Sequence, residues 1–193
     1  MAASELAERV RTLLASRVPW RARDSSLVPA SVLIPLFARD PSIGPQLWLV
    51  RRAEDMRLHR GQVALPGGKR DPDDSDLLAT ALRESHEEIG LSPDQVEVLG
   101  SLDDCVTITG FVITPFVGFI AAPFTPRPLT TEVARVFAAP LSAFVGEPRA
   151  MTVDSGSSKR IVISFEAEGE TIWGATASIL RGFARLLGDP GEG

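Results

Sequence analysis

The chain has 193 residues, long enough for one domain with a sizeable core, and its 44% hydrophobic and 23% charged residues are those of an ordinary globular protein. A net charge of -5 excludes a general nucleic-acid binder, which needs a basic footprint, and a single cysteine, Cys105, excludes an intrachain disulfide and fits a reducing cytoplasm. The start has neither a basic leader nor an uninterrupted apolar core, and no apolar run approaches bilayer-spanning length, so neither a signal peptide nor a membrane helix is expected.

In chain order, Leu6, Val10, Leu13 and Leu14 have helical spacing over residues 3–16, with Ser4 as candidate N-cap. Residues 1–27 read as this helix and a linker in which Arg21 and Arg23 are solvated; residues 28–188 read as one domain, and 189–193 as a flexible tail. Runs at 30–37 and 47–51 predict two strands. The second leads into six cations, Arg51, Arg52, Arg57, Arg60, Lys69 and Arg70, around a glycine turn. Alone they are an exposed basic patch; beside a carboxylate metal site they are placed to hold phosphates.

From Gly61 to Leu91 the sequence GQVALPGGKRDPDDSDLLATALRESHEEIGL predicts a strand, a Pro-Gly-Gly turn, an acidic loop and a helix ending at Gly90. Leu77, Leu78, Ala81, Leu82 and Ile89 share one arc of that helix, and Glu84, Glu87 and Glu88 run along its edge. The like-charged Glu84/Glu88 pair costs about 0.2–0.5 kcal/mol, and two carboxylates in the last turn oppose the helix dipole by about 0.3–1 kcal/mol each. A hard divalent cation would compensate, although a bare run of this kind is often only a solvated acidic face. Gly67-Gly68-Lys69 is not a P-loop, because Gly61 is misplaced and Arg70 stands where Ser or Thr is required.

Beyond the helix, strands are expected at 96–102, 111–120, 131–137, 160–167 and 171–173, and helices at 140–145 and 175–187. Pro115 suggests an edge strand or a bulge, 146–159 a polar loop beside a site, and Trp173 a core position. His59 and His86 form no zinc pattern. Strands around one central helix, closed by another, point to an α+β or α/β layered sandwich.

The stretch Arg83-Glu84-Ser85-His86-Glu87-Glu88-Ile89-Gly90-Leu91 resembles the R-E-U-x-E-E-x-G-U half of the Nudix box, with Gly67-Gly68 near its leading glycine. Counting back from Arg83 puts Lys69 at the strict glycine position and Ser75 at the first glutamate, so the loop is one residue longer; Asp71, Asp73, Asp74 and Asp76 are candidates to replace that glutamate. Ser85 departs from the bulky residue of the pattern. Upstream, Arg52-Ala53, Arg57, Gly61 and Pro66-Gly67-Gly68 are similar to the signature of coenzyme A pyrophosphatases, with departures at Trp48, Val50 and Leu65. The resemblance extends over residues 28–187.

It implies an α/β/α sandwich with a central mixed sheet and a metal-dependent hydrolase of diphosphate bonds. The implied metal ligands for Mg²⁺ or Mn²⁺ are Glu84, Glu87, Glu88 and the carbonyl of Gly68; Arg83 orients a glutamate, and the general base lies between Glu132 and Glu87. Arg52, Arg57, Gly67 and Lys69 are the implied substrate contacts. The implied substrate is coenzyme A or a derivative, with no nucleic-acid or membrane partner, in a cytoplasmic monomer or homodimer. Alternatives are hydrolysis of ADP-ribose or a nucleoside triphosphate, and a Nudix-like nucleotide-binding module without catalysis.

Overall fold

The computed structural model describes residues 3–54, 60–155 and 158–188. Among these residues three helices, α1 (Ala3–Ala15), α2 (Leu77–Ile89) and α3 (Gly174–Leu186), accompany eleven strands. The strands are β1 (Val28–Phe37), β2 (Gln46–Arg52), β3 (Val63–Ala64), β4 (Gly67–Lys69), β5 (Glu97–Ser101), β6 (Cys105–Val106), β7 (Phe111–Phe119), β8 (Val133–Pro140), β9 (Arg149–Ser155), β10 (Ser158–Ala167) and β11 (Glu170–Trp173). Short 3₁₀ turns occupy Pro93–Gln95 and Leu141–Phe144.

The first eight strands form a mixed sheet of order β3-β2-β1-β7-β5, with β4 on β1, β6 on β7 and β8 on β2. β1 and β7 are parallel; the other pairings are antiparallel. Side chains alternate across the sheet, so each central strand feeds two cores. Leu33 and Phe37 of β1 join Ala81 and Ile89 of α2 on one face, whereas Ile34 and Leu36 join Leu6, Val10 and Leu14 of α1 and Leu180 and Phe183 of α3 on the other. Fully burying one such side chain contributes about 1.5–3 kcal/mol. The result is a helix–sheet–helix sandwich, with a small antiparallel sheet, β11-β10-β9, on the side of α1 and α3.

Several expectations change. Residues 149–155 form a strand, not a loop: they pair with β10 in a hairpin whose first strand buries too little to show a period. β7 is a central strand, and Pro115 is tolerated because its carbonyl, and hence its missing N–H, faces the break between β5 and β6, where Leu102 N–H donates to Pro115 O at 2.9 Å. Arg21 is not merely solvated, since it donates to Leu102 O, Asp104 and Ser101 Oγ. Ser4 lies inside α1 and so does not cap it.

Gly67 shows how closely β4 approaches β1. Its φ of +153° favours glycine, and a Cβ there would meet Ser31 O at 2.3 Å and Val32 Cα at 2.6 Å. We expect Gly67→Ala to lower stability by about 1–3 kcal/mol in urea denaturation, the usual cost of overpacking, without changing the m-value.

Candidate active site

α2 is fixed at both ends. Asp76 caps its start by accepting from Ala79 N–H at 2.8 Å, and Gly90, left-handed at φ +74°, ends it with its N–H on His86 O. Between these caps the helix buries Thr80, Ala81, Ser85, Glu88 and Ile89. One box carboxylate therefore belongs to the packing face itself, where the periodicity alone placed it on the edge. Ser85 fits because a helix pressed this closely to the sheet has room for a small residue, and its hydroxyl donates to Ala81 O at 2.7 Å.

The β4 turn lies over the helix. Gly67 N–H donates to Glu88 Oε2 at 3.1 Å, and a Cβ on Gly68 would fall 2.5 Å from the carboxyl carbon of Glu84. Both glycines are thus needed for close approach: the first for its backbone angle and the second for the space occupied by a carboxylate. Glu88 is 5% exposed, and burial pushes its carboxyl up to about 7 against the opposing pull of Gly67 N–H and Arg52. Burial likewise raises Glu84, with Arg83 opposing. Glu87 and His86 are exposed on the outer side.

Arg83 organises these acids. Its Nε and Nη2 donate to the two oxygens of Asp74 at 2.9 Å each, while Nη1 reaches Glu84 at 2.9 Å and Glu87 at 3.2 Å. Asp74 is buried and also accepts from Thr80 Oγ1 and Asp71 N–H; the Arg83 bond holds its carboxyl far below the usual range. Among the four loop aspartates, Asp74 is the one built into the site. It immediately precedes Ser75, which is exposed and offers only its carbonyl to Arg70. Sequence counting could not find it because the longer loop hides the register; the cue was an acid followed six residues later by a threonine and nine later by the arginine.

Arg52, at the end of β2, lies 3.7 Å from Glu88 and 3.1 Å from Glu132. Glu132 stands in the turn before β8 rather than within the strand, with its carbonyl accepting from Ala53 N–H at 2.8 Å. Lys69 is exposed on β4, Arg70 is turned onto the carbonyls of Asp74 and Ser75, and Arg51 pairs with Glu54 and Glu170. Of the expected cluster of cations, only Arg52 among the described residues meets the box acids along with Arg83. Arg57 and His59 lie outside the described residues.

The donor set suits a hard divalent cation: it consists of carboxylate oxygens, two of them desolvated and held near one another under a glycine turn. Among the described residues no three such side chains already stand as a coordination cage, because Glu84 and Glu87 lean on Arg83 and Glu88 on Gly67 and Arg52. Loading would exchange these contacts for metal–oxygen bonds.

A strand–turn–helix unit that sets a buried glutamate and a half-buried one beside arginines defines a class of proteins that act on phosphate groups. The chain belongs to the Nudix family: residues 28–148 match the NUDIX domain. It is 41% identical over 162 residues to a protein named uncharacterized Nudix hydrolase NudL from Enterobacter sp. (strain 638), covering 82% of each chain. A protein of the same name from Yersinia pestis (strain Pestoides F) is 41% identical over 161 residues, covering 82% of this chain and 79% of that one. The fold is also similar to the crystal structure of a MutT protein from Methanosarcina mazei Go1, with a TM-score of 0.55 at 19% identity, covering 85% and 97% of the two chains. This is a hydrolase family of diphosphate bonds that generally uses divalent ions such as Mg²⁺ or Mn²⁺.

Two outcomes follow from this geometry. A carboxyl raised from 4.5 to about 7 on folding binds more protons in the folded than in the unfolded chain between those values, so its contribution to stability is lost as pH rises through about 7. In chelator, Glu88→Gln should therefore match wild type near pH 4.5 and exceed it at pH 8, by up to about 3 kcal/mol, with excess Mg²⁺ reversing the order at pH 8. Asp74→Asn should cost at least about 2 kcal/mol in chemical denaturation at pH 7, because it removes a charged acceptor from two Arg83 bonds.

Proposed function

We propose that this chain hydrolyses the internal diphosphate of coenzyme A or a derivative, giving 3′,5′-ADP and 4′-phosphopantetheine or its acyl form, in a metal-dependent reaction. The observation that carries the chemistry is the buried carboxylate of Glu88 and the half-buried one of Glu84, both under Gly67-Gly68. The substrate rests on the resemblance of Arg52-Ala53, Arg57, Gly61 and Pro66-Gly67-Gly68 to the coenzyme A pyrophosphatase signature.

Glu84, Glu88 and Glu87, with the Gly68 carbonyl, would hold Mg²⁺ or Mn²⁺; bound there, it would supply charge neutralisation for the diphosphate and acidify the attacking water. The chain's own residues do the rest. Arg83, anchored by Asp74, keeps Glu84 and Glu87 oriented, so the acids need not be ordered during the reaction. Glu132, 58% exposed, takes the proton of the attacking water as the new O–P bond forms. The bridging P–O bond breaks and its electron pair leaves with the departing phosphate. Lys69, exposed beside Gly68, is free to approach a phosphate oxygen. Glu87 is the less suitable base, because it is among the carboxylates that would hold the metal.

Product analysis with coenzyme A, ADP-ribose and a nucleoside triphosphate, each with Mg²⁺, Mn²⁺ or chelator, tests this reading. Metal-dependent release of 3′,5′-ADP from coenzyme A is expected, with Glu88→Gln lowering kcat by about 10²-fold or more, given the several kcal/mol a catalytic metal supplies. Cleavage confined to another substrate would retain the chemistry and discard coenzyme A. No cleavage of any would favour a nucleotide-binding module.

A further inference from the structure

Arg52 is already engaged by carboxylates, unlike an open phosphate receptor. A register shift between Arg51 and Arg52 sets Arg51 against Arg135 and Arg52 against Val133, leaving Ala134 as an extra residue on β8. Such a bulge re-aims side chains and is frequent beside active sites. Here Arg51 goes to Glu54 and Glu170, while the Arg52 guanidinium, its side chain 21% exposed, lies between Glu88 of α2 and Glu132 of the turn before β8. Among the described residues, Arg52 is the only cation paired with the Glu132 carboxylate. The backbone repeats the connection: Ala53 N–H holds Glu132 O, and Arg52 N–H donates to Gln62 O in the segment leading to the glycine turn.

We propose that Arg52 is a positioning residue that holds Glu132 over the box carboxylates and contributes to turnover through Glu132, not by binding substrate phosphate. A guanidinium flanked by two carboxylates presents little net positive field to a phosphate, whereas Glu132, on an exposed turn, is paired among the described residues with Arg52 alone. This inference rests on the hydrolase reading for its kinetic half and stands on the fold alone for the other half.

The test uses the full chain in four variants, Arg52→Met, Arg52→Lys, Glu132→Gln and the Arg52→Met/Glu132→Gln double, with coenzyme A as substrate. Arg52→Met and Glu132→Gln should each lower kcat by about 10²-fold, the scale of a misplaced general base, with KM changed less than about threefold. The double variant should be no worse than about threefold below either single, since residues acting as a unit are non-additive. Arg52→Lys should recover part of the loss by keeping the charge. Hydrogen exchange in chelator is the readout independent of activity. Arg52→Met should speed exchange of the 129–133 turn and of Ala53 by about tenfold, without affecting the amides of α2, because local opening reports the lost tie. A tenfold rise in KM with kcat intact and multiplicative losses would overturn the proposal in favour of phosphate binding. Unchanged exchange in the turn would overturn it whatever the substrate. A wild-type chain that cleaves nothing would sink the hydrolase reading, while the exchange result would still decide whether Arg52 holds the turn.

Discussion

The site depends on one contact, the Glu88 carboxylate under the amide of Gly67. A glutamate on the packed face of a helix is unfavourable in itself, since desolvation penalises its charge and one N–H and one arginine only partly offset that. Holding it there requires the β4 turn to lie almost on the helix, which requires glycine at 67 and 68, which in turn requires β4 to pair with β1 at the centre of the sheet. The central parallel pair of β1 and β7, the caps at Asp76 and Gly90, and the small Ser85 all serve that approach. The cost of a partly compensated buried acid is therefore borne by closely packed elements.

Around this contact are two arginines with different duties. Arg83 is itself fixed, by two bonds to a buried aspartate, and transmits that rigidity to Glu84 and Glu87. Arg52 comes from the opposite side, at a bulge where β2 and β8 lose register, and joins the helix to the turn carrying Glu132. The metal-free carboxylates are thus already paired with cations. Loading substitutes one positive partner for another and avoids collapse of a repulsive cluster.

Much of this was legible in the sequence, for identifiable reasons. The β1, β2 and β7 runs are apolar on both faces because both are covered, and α2 is closed by an unambiguous glycine. The carboxylates Glu84, Glu87 and Glu88 could be named from spacing, but their division into buried and exposed members could not: periodicity places Glu88 at an edge, and only the neighbouring turn makes that edge interior. Asp74 was one of four aspartates until the fold brought it to Arg83, since an insertion in a loop changes counting without changing what reaches where. β9 was missed because a hairpin strand with little burial has no period to read, and Pro115 misled as to an edge because a missing donor matters only where the ladder is intact, and here it faces a gap. Within the basic cluster Arg51 and Arg70 are tied to Glu54, Glu170 and loop carbonyls, whereas Lys69 stays exposed on β4.

Burial raises the Glu88 carboxyl to about 7, so a cation arriving there displaces its proton, and proton counting tests that most directly. Calorimetric titration of Mn²⁺ into the metal-free chain, in buffers of differing ionisation enthalpy, should show proton release at pH 6.5 that fades by pH 8.5 and disappears in Glu88→Gln. Binding without proton release at pH 6.5, or release that persists in the variant, would contradict it.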